Sequence, residues 1–123
     1  MTRTYPDDFG FNLASFFPEN TGLSVKVWTI HTSDYIEEMC EGPEVIVISQ
    51  LKEEGGFTVS ISDTPRVVYG VSTVAPEELE KIFQWVRINK QPLLDHWNYV
   101  IDSFDLADRL VRVDGSPMES EGA

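Results

Sequence analysis

The sequence predicts a single α+β domain, an antiparallel sheet of about four strands packed on one face by C-terminal helices. Three observations carry that prediction. Short β-branched runs separated by turn residues fill positions 24–71, a helical period begins at Pro76, and no repeat, heptad run or linker divides the 123 residues. A chain of this length hides about two-thirds of its unfolded surface on folding, so it can build a real core.

Residues 1–23 read as an aromatic-rich arm, because Tyr5, Phe9, Phe11, Phe16 and Phe17 lie in a stretch without periodicity. Aromatic rings are costly to leave in water, so the arm is expected to dock on the domain or on a partner. The domain proper is expected over 24–112. Ser24–His31 follows the turn residues Asn20-Thr21-Gly22 and is rich in β-branched and aromatic types, which predicts a strand. Tyr35–Cys40 fits either a helical turn capped by Asp34 or a strand. Glu44–Leu51 carries Val45 and Val47 on one face and Ile46 and Ile48 on the other, so this strand needs cover on both faces. Lys52-Glu53-Glu54-Gly55-Gly56 is hairpin chemistry, and Phe57, Val59 and Ile61 then alternate with Thr58, Ser60 and Ser62. That alternation predicts one dry and one wet face, in a strand paired antiparallel with the preceding one. A fourth strand is expected at Arg66–Val71.

From Pro76, Leu79, Ile82, Phe83 and Val86 form one apolar stripe, with Glu77, Glu78 and Glu80 at the positive end of the helix dipole. Pro92 stops or kinks this helix near Asn89. Leu93, Leu94, Trp97, Val100 and Ile101 continue the apolar face, and Asp102 or Ser103 caps a last helix bearing Leu106 and Leu110. Residues 113–123 read as a flexible acidic tail.

The charge balance narrows the function classes. Lys and Arg number 9 against 21 Asp and Glu, a net charge of −12, which opposes binding to nucleic acid or to an anionic membrane. The start of the chain has no apolar run suited to a signal peptide, and the lone Cys40 has no disulfide partner, so a cytoplasmic protein is expected. No cofactor or metal is expected, since His31 and His96 lack companions at ligand spacing. Cys40 is flanked by Glu37, Glu38, Glu41 and Glu44, which disfavour a thiolate nucleophile, and no phosphate loop, dinucleotide fingerprint or nucleophile elbow occurs. No catalytic residue is therefore assigned.

Two stretches carry a resemblance. Pro18-Glu19-Asn20-Thr21-Gly22-Leu23 leading into Val27-Trp28, together with Trp85-Val86-x-x-Asn89-x-x-x-Leu93-Leu94-x-x-Trp97-Asn98, resembles a group of short, functionally unassigned bacterial proteins. The resemblance implies an α+β domain in a bacterial or phage setting and no particular activity. This chain is acidic from Thr32 to Gly42, where the group is basic.

The expectation that follows is a non-enzymatic module that inhibits or sequesters a basic partner protein, as immunity proteins, antitoxins and phage inhibitors do, including by mimicry of nucleic acid. The candidate acidic contacts are Glu37, Glu38, Glu41, Glu44, Asp95, Asp102, Asp105 and Asp108. Phe9, Phe11 and Trp85 are the candidate apolar anchors, Trp85 because it lies off the main helical stripe. Two alternatives stand beside this reading. One is a small ligand-binding domain or enzyme using Cys40 and His31; the other is a self-associating structural domain, a homodimer closed by the arm.

Overall fold

A computed structural model describes residues 13–16, 18–30, 42–48, 56–72 and 74–116. Five antiparallel strands form one sheet in chain order: β1 (Leu13–Phe16), β2 (Lys26–Ile30), β3 (Glu44–Ile48), β4 (Phe57–Ser60) and β5 (Val67–Tyr69). A one-turn helix, α1 (Pro18–Thr21), joins β1 to β2, and three helices follow the sheet: α2 (Pro76–Ile88), α3 (Lys90–Trp97) and α4 (Ser103–Arg109). The α+β class is as expected, with one more strand than the four anticipated. The extra strand is β1, drawn from the aromatic arm, whose Phe16 pairs with Val27 and is buried. Its two faces were not marked by alternation, so only the pairing with β2 defines it. The ambiguous Tyr35–Cys40 segment lies outside the described residues, as does most of the β3–β4 connection.

The helix-facing side of the sheet presents Phe16, Val27, Val45, Val47, Phe57 and Val59, all buried. Register explains the alignment: Phe16 lies opposite Val27, Val27 opposite Val47, and Val47 opposite Phe57. Against this face pack Ile82, Trp85 and Val86 of α2, Leu93 of α3, and Leu106 and Leu110 at α4. The opposite face is also sequestered along one cross-strand row, where Trp28 lies opposite Ile46 and Ile46 opposite Thr58. Ile46 and Thr58 are buried, so β3 is covered on both faces as its sequence requires. The wet face expected of β4 is corrected at Thr58, while Ser60 remains half-buried. Lys26 sets its ammonium 4.6 Å from the Trp28 ring centroid on this side.

Pro76 opens α2, where a proline loses nothing, because the first N–H groups of a helix have no internal acceptor. Glu78 in that first turn accepts the Ser24 N–H at 2.8 Å, tying α2 to the approach to β2. The helix breaks at Asn89 and restarts at Lys90, which places Pro92 third in α3, again among the N–H groups that need no helical acceptor. Asp102 caps α4 by accepting the Asp105 N–H at 2.8 Å.

The break also turns Asn89 inward, where it is 1% exposed. Its amide nitrogen donates to the carbonyls of Trp85 at 2.9 Å and Val111 at 3.1 Å. Its carbonyl oxygen accepts the Val111 N–H at 2.8 Å. The Trp85 indole donates to the same Val111 carbonyl at 2.9 Å, and Gln84 donates to the Val113 carbonyl at 3.2 Å. Val113 in turn donates its N–H to Thr21 at 2.8 Å. Gly22, at φ +85, lies against it, and a Cβ there would sit 3.0 Å from Val113 Cγ1. Order thus extends past the expected start of the tail: Arg112 donates to the Ser116 carbonyl at 2.7 Å. The Ser116 hydroxyl and N–H, both on Asp114 Oδ1, hold that carboxyl below its ordinary pKa.

Replacing Asn89 by Ala would leave the Val111 peptide without its partner and is expected to cost about 3 kcal/mol, a fall of roughly 12 °C in the thermal midpoint. Calorimetry would check this. A fall of less than about 3 °C would show that the clamp is dispensable.

Candidate partner-binding surface

The helices that close the core also build the most exposed apolar corner of the described chain. Where α3 ends, Asn98 donates to Leu94 at 2.9 Å, Tyr99 to His96 at 3.2 Å and Val100 to Asp95 at 2.8 Å. The last two bonds are the paired closing bonds of a Schellman cap, which needs a left-handed residue just past the helix. That residue is Tyr99, at φ 66, where glycine is the inexpensive choice. Tyr99 is 57% exposed, Val100 is 67% exposed and Phe104, in the first turn of α4, is 84% exposed. These are three of the five large exposed hydrophobics among the described residues.

Carboxylates surround them. From Gln91 to Asp108 the chain holds Asp95, Asp102, Asp105 and Asp108 and no lysine or arginine. Asp95 is neutralised locally: the Arg109 guanidinium lies 2.9 Å away and Gln91 donates to it at 3.0 Å. Asp102 is occupied in part as the α4 cap. Asp105 and Asp108 are exposed and form no ion pair among the described residues. With Leu106 and Leu110 turned to the core, Phe104 and Asp108, four residues apart, are neighbours on the outer side of α4 with Asp105 beside them.

Two candidates are corrected. Trp85 is fully buried and its indole N–H is bonded to Val111, because the C-terminal segment covers the side of α2 that lies off the main stripe. It cannot anchor a partner. Glu44, first residue of β3 and opposite Ser60, is 3% exposed, so it presents no carboxylate to a partner. Phe9, Phe11, Glu37, Glu38 and Glu41 lie outside the described residues, as do His31 and Cys40. His96 is buried on α3.

Among the described residues no three His, Cys, Asp or Glu side chains group as metal ligands, and no helix is long and apolar enough to cross a membrane. A shallow depression of about 190 Å³ lies where Pro43, Glu44, Ser60, Arg66 and Val68 meet. It is smaller than the roughly 300–1,000 Å³ typical of ligand sites.

No protein-family model, curated protein or solved structure matches this chain. The functional reading therefore rests on the surface itself. Sequence reasoning passed over Phe104, although a signal existed: it lies about 200° around the helix from Leu106, on the side away from the core. Tyr99 gave no such signal, since Asn98 beside it is the residue type that more often adopts a left-handed conformation.

The left-handed tyrosine supplies a test. Tyr99→Gly is expected to raise stability by about 1 kcal/mol, read as a thermal midpoint about 4 °C higher. A lower midpoint would mean that the ring stabilises the fold and is not retained at a conformational cost.

Proposed function

We propose that this protein is a non-enzymatic acidic module that inhibits or sequesters a basic partner protein, in the manner of immunity proteins, antitoxins or phage inhibitors of nucleic-acid enzymes. The observation that supports it best is Phe104, 84% exposed between acidic residues on the outer side of α4. Solubility alone accounts for surface carboxylates, and many soluble domains carry them for that reason. It does not account for Tyr99, Val100 and Phe104 all standing exposed in one turn, apolar surface that leaves water only when a partner covers it. Acids around an apolar residue match the anatomy of an interface: a dry centre for affinity, and charges around it that steer an oppositely charged partner. Carboxylates near phenylalanine also suit a protein that covers a phosphate-binding surface by imitating nucleic acid.

Affinity capture with the full chain in lysate of its source cell tests this. A basic protein should be retained at about 50 mM salt and released by about 500 mM, since surface charges are screened within a few ångströms at high ionic strength. Charge reversal at Asp105→Lys and Asp108→Lys, with the Asp102 cap kept, should lower capture at least tenfold and leave the circular dichroism spectrum unchanged. Retention that ignores both salt and charge reversal would sink the reading.

A further inference from the structure

Resting on that reading, we propose that the turn between α3 and α4 is the docking surface, with Phe104 as the inserted side chain and a cationic polypeptide as its occupant. The site on that polypeptide is an apolar socket rimmed by lysine or arginine. Phe104, Val100 and Tyr99 are all more than half exposed and lie within six residues of one another. Aromatic side chains contribute most at such sites, because they bury a large area while fixing few torsions.

Charge complementarity selects the occupant. Asp105 and Asp108 flank Phe104 without ion pairs among the described residues, and no lysine or arginine lies between Gln91 and Asp108. A second copy meeting this turn symmetrically would set the same carboxylates against each other, on a chain already at −12. Nucleic acid and anionic lipid are repelled by the same charges. A cationic protein surface is attracted, and its apolar socket gives Phe104 a dry site.

The turn is also held in shape before binding. Its two closing bonds, from Tyr99 to His96 and from Val100 to Asp95, join the start of the loop to α3, and the Asp102 cap fixes the start of α4. The Arg109–Asp95 bridge joins the two helices. Less backbone freedom is then lost when the partner binds.

The test titrates the full chain with two peptides of equal positive charge, an amphipathic lysine–leucine helix and an oligolysine, and follows the amide resonances by heteronuclear NMR. The lysine–leucine peptide should shift Tyr99 to Asp108 most and bind at least tenfold more tightly than oligolysine. Phe104→Ser should remove that advantage and leave oligolysine binding unchanged. Phe104→Ala, a better helix former, repeats the measurement if the serine variant loses structure. Shifts centred elsewhere, or a Phe104→Ser variant that still prefers the lysine–leucine peptide, would overturn this docking site while leaving an electrostatic module standing. Binding of neither peptide at low salt would overturn both.

Discussion

The carboxamide of Asn89 is the constraint on which the closing half of the fold depends. A segment that follows a helix into a domain interior must satisfy its peptide groups, and the N–H and carbonyl of Val111 are met by side chains. Asn89 meets both, since its amide offers Val111 one donor and one acceptor, as a peptide would. The same residue ends α2, so the break in the helix and the anchoring of the C-terminal segment are one event. Without the break, α2 would continue straight past the sheet. Leu93 and Trp97 would then leave the core, and the turn carrying Tyr99 and Phe104 would not be formed.

Two kinds of local economy meet in the helices. At the α2–α3 break, every choice favours stability: Pro92 falls where no N–H is needed, and Asn89 leaves none of its amide unused. At the α3–α4 turn the choices run the other way. Tyr99 occupies a left-handed position, and Val100 and Phe104 keep apolar surface in water. Neighbouring turns of one chain thus obey opposite rules, although the same elementary forces act on both. Residues at functional surfaces commonly depart from the local optimum in this way, and the surrounding structure supplies the compensating stability.

Much of this fold was legible because its signals are local. The stripe Leu79-Ile82-Phe83-Val86, the interruption before Pro92, the Asp102 cap and the two-faced Val45–Ile48 strand each need only a few consecutive residues to be read. What escaped depends on distant partners. β1 shows no alternation and exists through its pairing with β2. Trp85 lies off its helix's main stripe and looks like a surface residue until the segment from Leu110 to Val113, far along the chain, covers it. Glu44 begins a strand, where acids are usually wet, but is buried opposite Ser60. Of the candidate acidic residues, Asp102, Asp105 and Asp108 are exposed, and Phe104, which the sequence reading did not name, stands beside them.

The burial of Trp85 and the exposure of Phe104 change what the acidity can mean. With a buried tryptophan as anchor, the carboxylates would be a diffuse field with nothing to define a contact, and a field of this kind speeds encounters without selecting among basic partners. An exposed phenylalanine adds a short-range requirement. On the proposed reading, a partner would need both positive charge and a cavity of fitting shape, and surfaces with only one of these would bind weakly. Specificity would then follow from the pairing of a long-range and a short-range term on one turn of helix, where neither term alone would discriminate.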